Sequence, residues 1–327
     1  MKHPYLININ DEDNWLYPTN GYNPDGSLSE AQRTLSMPEG IHKMFCYTDS
    51  LMYPTQMEHF DGKVGLHDHH EGFETFFVEG GAMDLYIDGK RCRVEADNVI
   101  HLQPYQAHGM VFHAPTIYRG IFHDWNCCDD AVATSILEKH VPDAKKDPKF
   151  FGLLIKNIDM HMRERAVDYP LAPISEVPAV RSPDAPLAKF ELDGVTAKMM
   201  TARWENHGVK ELWRFEMEPG FYVQWEDYPA MQEMYYIREG AVRFKVYDEE
   251  FVAGPDSIVK IPKYAPHSFV VEQKTVMHDV GGLTEWYSLM LDRDSIAKTD
   301  PARLSDVEAM SALKAKYKCN IKAYGIK

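Results

Sequence analysis

Basic residues are outnumbered in this sequence, 35 Lys and Arg against 50 Asp and Glu, giving a formal net charge of −15. A general binder of nucleic acid or of anionic membrane wants a basic face, so neither partner is expected. Long apolar runs are also missing. None approaches a membrane span, and the opening stretch MKHPYLININDEDNW lacks the apolar core of an export signal. Cysteine is scarce: Cys46, Cys92, Cys127, Cys128 and Cys319 make five, an odd number. They read as reduced thiols, not as a disulfide framework. These shortages predict a cytoplasmic protein whose partner is a small-molecule substrate.

What is present is a concentration of metal-ligand residue types. Residues 65–81 read GLHDHHEGFETFFVEGG, and residues 97–108 read DNVIHLQPYQAH. Residues two apart on a strand share a face, so His67 and His69 project together. A turn can bring Glu74 beside them, and a strand returning across the sheet can supply His108. Three imidazoles and a carboxylate suit one divalent first-row transition metal ion.

These residues resemble the two motifs of the cupin superfamily, Gly65…His67-x-His69-x4-Glu74-x6-Gly81 and Asp97…Pro104-x3-His108. The one departure is the Pro-x3-His spacing, where the commoner pattern is Pro-x4-His with a preceding Gly. The resemblance implies an all-β fold of small jelly-roll (double-stranded β-helix) barrels. It also implies that His67, His69, Glu74 and His108 are the ligands of a single ion, Fe, Mn, Ni, Co or Zn.

The chain repeats itself. An offset of 159 carries Glu74 to Glu233, Gly81 to Gly240, Asp97 to Asp256, Tyr105 to Tyr264 and His108 to His267. The apolar run Phe76-Phe77-Val78 becomes Tyr235-Tyr236-Ile237, and Ile100 and Leu102 become Val259 and Ile261. Two tandem barrels, a bicupin, are therefore expected. The second site is degenerate, because His67 maps to Glu226 and His69 to Tyr228. Two readings stay open for Glu226, Tyr228, Glu233 and His267. They form a hydrogen-bonded packing cluster, or Glu226, Glu233 and His267 still hold a harder metal or a polar ligand.

Five segments follow from composition and turn signals. An N-terminal arm covers 1–60, and the first, metal-binding barrel 61–125. A helical connector and Pro-rich linker span 126–192. The second barrel takes 193–292 and a C-terminal helix 293–327. Asp88-Gly89 predicts a hairpin turn between Met83–Ile87 and Arg91–Val94. Helix spacing runs through 129–164, five prolines punctuate 168–190, and Ser305 is the expected N-cap of a helix starting at Val307.

Strand parity places Phe76 and Val78 beside Glu74, and Met110 and Phe112 beside His108, with Met83 joining after the turn. These five are the expected substrate pocket. His123 and His101 are the candidate general bases, since a neutral imidazole near the metal can move protons at neutral pH. The residues are compatible with a metal-dependent enzyme acting on an aromatic or carbonyl/carboxylate compound. The chemistry would be a ring- or diketone-cleaving dioxygenase reaction with Fe, or a non-redox isomerase, lyase or decarboxylase reaction. A non-catalytic small-ligand-binding bicupin is the third reading. A homodimer is expected by analogy with the superfamily.

Overall fold

A computed structural model describes residues 3–11, 17–20, 40–44, 53–59, 62–113, 115–123, 149, 159, 161–163, 168–206, 210–229, 232–281 and 285–321. The chain forms two compact units, Trp15–Ala185 and Met1–Asn14 with Pro186–Lys327. Both are antiparallel β-structures, and the fold is the tandem cupin barrel.

Among the described residues, the first unit forms two sheets. One orders His161–Met162, Gly62–Asp68, His108–Phe112, Ala82–Ile87 and Lys90–Glu95. The other orders Val180–Arg181, Val99–Leu102, Phe73–Gly80, Thr116–His123, Tyr53–His59, Gly40–Met44 and Tyr17–Asn20. Alternation along the strands buries Phe76, Val78, Met83, Leu85, Ile87, Ile100, Met110 and Phe112 in one core. The hairpin at Asp88-Gly89 forms as expected, with φ of 49° and 76° at its two central residues, the signature of a type I′ turn.

The expected arm and linker carry more structure than their composition suggested. Strands between residues 17 and 59 extend the second sheet of this unit, whereas Leu6–Asn8 belongs to the second unit and pairs with Ser257–Ile261 within it. The Pro-rich linker supplies Val180–Arg181, which pairs with Val99 and Ile100. Five prolines discouraged a strand reading, but this edge needs only a few main-chain bonds between them. Most of the expected connector helix lies outside the described residues, as do Cys46, Cys127 and Cys128; Cys92 and Cys319 are buried free thiols.

In the second unit, the strands Glu233–Val246 and His267–Asp279 run unbroken through the positions where the first unit divides them. Trp213, Phe215, Phe244, Val259 and Met277 are among the residues that fill its core. Two expectations are corrected at its end. A helix occupies Trp286–Thr299, where the barrel was expected to reach 292. The next helix, Val307–Lys316, is capped by Asp306, not Ser305: the Asp306 carboxylate accepts from the N–H groups of Glu308 and Ala309. Asp306 satisfies two of the first turn's orphan donors at once.

The repeat is written in the backbone. Left-handed residues pair at the same offset: Asp97 with Asp256, Tyr105 with Tyr264, Asp88 with Tyr247 and Asp159 with Lys318. Gly81 and Gly240 share both a positive φ and a crowded neighbour. A Cβ there would come within 2.1 Å of the Pro115 carbonyl oxygen in one copy and 2.2 Å of Lys274's in the other. Only glycine fits either corner.

Candidate metal centre

Each ligand-type side chain is placed by a separate strand or turn. His67 lies on Gly62–Asp68 opposite His108, and the register between these strands slips between His108 and Met110. Two residues, Gly65 and Leu66, face the single Gly109 there, a bulge that re-aims side chains. Gly109 permits it, since a Cβ would sit 3.1–3.2 Å from the main chain of Val64 and Leu66. Glu74 arrives from Phe73–Gly80, in register with Leu102. The ligand atoms of His67, His69, Glu74 and His108 all lie within 4.8 Å of one another, and all four residues are buried.

The tautomers are fixed by the main chain. His67 Nδ1 is 2.7 Å from the Gly65 carbonyl oxygen, His69 Nδ1 2.8 Å from that of Asp159, and His108 Nδ1 2.8 Å from that of Gln106. A carbonyl can only accept, so each Nδ1 carries the proton and each Nε2 turns a lone pair inward. Glu74 Oε2 sits 3.3 Å from His69 Nε2 and 3.1 Å from His108 Nε2. Three lone pairs and a carboxylate thus converge in a buried space, an arrangement that repels itself until a cation enters. The donor set fits a transition metal.

The electrostatics say the same. Burial, then the neighbouring His108 and His69, hold His67 well below the usual imidazole range. Burial would also push His69 down, but the Glu74 charge more than offsets it and raises the ring. For Glu74, burial favours the neutral acid, yet His69 and His108 hold the carboxyl far below its ordinary value.

Asp159 is the residue that sequence reasoning passed over. Its carbonyl orients His69, and its carboxylate accepts from the N–H groups of His70 at 2.9 Å and Glu71 at 2.8 Å. The Tyr105 N–H donates to the His69 carbonyl at 2.6 Å, so the ligand turn is gripped from both sides. Above it the His70 ring stacks on His161 at 3.6 Å and on Tyr105 at 4.4 Å. Asp159→Ala keeps that carbonyl but removes the carboxylate that anchors it to the N–H groups of His70 and Glu71, and is expected to weaken metal binding roughly 10–100-fold by loosening the His69 ring. Competition against a calibrated chelator measures it, and an unchanged dissociation constant would refute the role.

The expected pocket residues Phe76, Val78, Met83, Met110 and Phe112 are all buried in the core of this barrel. His101 is held elsewhere. It pairs with Thr75 in register, binds the Thr75 hydroxyl at 2.8 Å and stacks on Phe73. That is the face of the sheet opposite Glu74. His123 pairs in register with Phe73, while the position opposite Glu74 belongs to Phe122.

In the second unit the four corresponding residues are also buried. His267 Nε2 lies 3.1 Å from Glu233 Oε2, Tyr235 donates to Glu233 Oε1 at 2.5 Å, and Lys314 forms an ion pair with Glu226. Among the described residues, the groups whose ligand atoms converge are the first-barrel quartet and His70, Asp159 and His161.

A tandem cupin barrel whose N-terminal copy alone retains the three-His, one-Glu set is the class that fold and site define. No family model matches the sequence, and no curated protein matches it. Solved structures do match. An oxalate decarboxylase variant from Bacillus subtilis is 14% identical, with TM-score 0.52 over 99% of this chain and 90% of the other. The Lactobacillus farciminis oxalate decarboxylase formate complex is 12% identical, with TM-score 0.51 over 85% and 86%. A further Bacillus subtilis oxalate decarboxylase, studied for its Mn(II) centres, is 13% identical with TM-score 0.52. At such identities the likeness establishes the fold.

Proposed function

We propose that the first barrel is the centre of a metal-dependent enzyme acting on a small organic molecule through a carbonyl or carboxylate group. The observation that carries this is the locking of three imidazoles, by main-chain carbonyls, with their Nε2 lone pairs aimed at the Glu74 side of one buried space. Three His and one Glu leave about two of six octahedral positions for substrate. A divalent ion held there would supply Lewis-acid polarisation of a bound oxygen. His67, His69, Glu74 and His108 hold the ion, and Asp159 orients His69. Phe76 and Met110, two residues from ligands, line the approach, while Val78, Met83 and Phe112 keep water out. Apolar walls strengthen charge interactions at the reacting oxygen.

The similar structures, oxalate decarboxylases with formate or Mn(II), support a carboxylate substrate and a non-redox lyase reaction. The apolar wall at Phe76 and Met110 favours a second reading, an Fe-dependent dioxygenase cleaving an aromatic ring or diketone. Elemental analysis of protein never exposed to chelator, followed by parallel assays of CO2 release and O2 uptake, separates the two. The expected result is one transition-metal ion per chain and turnover of a small carboxylate without O2 consumption. Stoichiometric O2 uptake with a phenolic or diketone substrate would replace the first reading by the second. Protein that holds no metal would end both.

A further inference from the structure

Behind the ligand turn of the first barrel stands a second convergence of donors, which the proposed reaction does not use. We propose that His70, Asp159 and His161 form a separate site for a divalent ion of the zinc type, filled when free metal is supplied and linked to the first centre through Asp159.

One ligand atom from each of these three residues lies within 4.8 Å of the other two, the same limit that bounds the quartet. His161 Nε2 stands 3.1 Å from Asp159 Oδ1, the separation of His108 Nε2 from Glu74 Oε2. Without an ion this contact is a hydrogen bond, and with one it is the edge between two neighbouring ligands. Strand register brings the three together. Residues two apart share a face, so Asp68 and His70 project away from the side of His67 and His69. The edge strand His161–Met162 sets His161 directly across from Asp68, and therefore diagonal to His70. Asp159, at a left-handed φ of 52°, lays its carboxylate against the N–H groups of His70 and Glu71.

An independent observation points to the same place. Asp68 is fully buried, and its Oδ1 makes no hydrogen bond. That oxygen faces His70 Nε2 at 3.4 Å, while Oδ2 is held by Arg163. A buried carboxylate oxygen without a partner is unfavourable, and a cation beside it offsets that penalty. Asp68 thus stands behind the three ligands as a source of negative charge, with Arg163 opposing it.

The two imidazoles lie face to face, with ring centroids 3.6 Å apart and 6° between their planes. Parallel rings cannot both aim an in-plane lone pair at one ion, so binding requires one ring to turn. The His70 and His161 side chains are 35% and 24% exposed, which leaves room for that turn. Two imidazoles and one carboxylate are a zinc-type set, and three protein ligands leave one tetrahedral position to water or an anion. The ring motion, the exposure and the Arg163 charge all weaken this site relative to the buried quartet. Protein as purified therefore keeps one tight ion and takes the second from solution. Asp159 links the two sites, since its carbonyl holds His69 Nδ1 while its carboxylate meets His161. An ion here pins the edge strand to the turn that carries His69, so loading it should also raise the unfolding temperature.

The test counts Zn2+ bound to the full-length chain in equilibrium dialysis, wild type against His161→Phe. The phenylalanine ring keeps the stack on His70 and offers no nitrogen, so the variant should bind one ion fewer. His161→Ala repeats the count if the phenylalanine variant folds poorly. The additional wild-type ion should be the first one lost as free Zn2+ is lowered. Arg163→Met removes the opposing charge and should tighten that ion roughly threefold, the effect of one charge several ångströms away in a watery site. The inference is overturned if wild type and the folded His161 variants bind equal numbers of ions. It is equally overturned if Arg163→Met leaves the weaker ion's affinity unchanged or reduces it. Failure of the first-barrel reading would be seen separately, as one ion in the wild type and none in His161→Phe.

Discussion

His108→Ala is expected to empty the first barrel of metal and to lower its unfolding temperature by about 8–16 °C when measured with excess metal. In the proposed centre the imidazole supplies one of four ligand atoms, its Nε2 3.1 Å from Glu74 Oε2. Loss of a mere orienting partner costs roughly 10–100-fold in affinity, so loss of a ligand costs more. An ion present at a thousandfold excess over its dissociation constant stabilises the folded state by about 4 kcal/mol, and each kcal/mol is worth about 2–4 °C in a unit of this size. The chelated proteins should differ far less. Without an ion, the wild-type quartet gathers three lone pairs around a carboxylate, and deleting one relieves as much as it removes. Metal content by elemental analysis and paired melting curves with and without chelator decide it. His267→Ala, by contrast, should leave metal content unchanged. A His108→Ala protein carrying a full complement of metal would remove the basis of the proposed function.

The parts of this molecule that were legible in the sequence are those where spacing and geometry coincide. His67 and His69 are two apart at a strand end, Glu74 opens the next strand, and the repeat offset marks the same positions twice, so the convergence of these side chains with His108 and both barrels could be read directly. Asp159 was not legible, because its contribution to His69 is made by a carbonyl oxygen, which every residue possesses. Its left-handed φ of 52° is equally invisible in a residue type tolerated in many turns. Lys314 was hidden differently. Its partner Glu226 lies 88 residues earlier in the chain, a separation that no motif spacing records. His101 misled because its sequence neighbourhood is that of the motif. One residue of strand parity puts it across the sheet, bonded to Thr75.

The buried ion pair of Lys314 and Glu226 in the second unit carries its own consequence for stability. Glu226→Leu and Lys314→Met are each expected to destabilise the second unit by about 3–5 kcal/mol, because each leaves the other charge buried without its partner. The double substitution should recover most of that loss, since replacing a buried ion pair by apolar groups of similar volume is often neutral or stabilising. The resulting coupling energy would exceed that of ordinary surface pairs, which is about 0–1 kcal/mol. Alkaline titration gives an independent reading. Glu226 raises Lys314 above its ordinary 10.5, so the pair's contribution is fully present below that value and fades as the pH climbs through the higher, folded-state value. Wild-type protein should therefore lose this increment only above about pH 10.5, whereas the double variant should show no such loss from this pair. Single substitutions costing under about 1 kcal/mol, or additive effects in the double variant, would mean that Lys314 and Glu226 meet as a solvated surface pair and not as the internal charge balance of the second barrel.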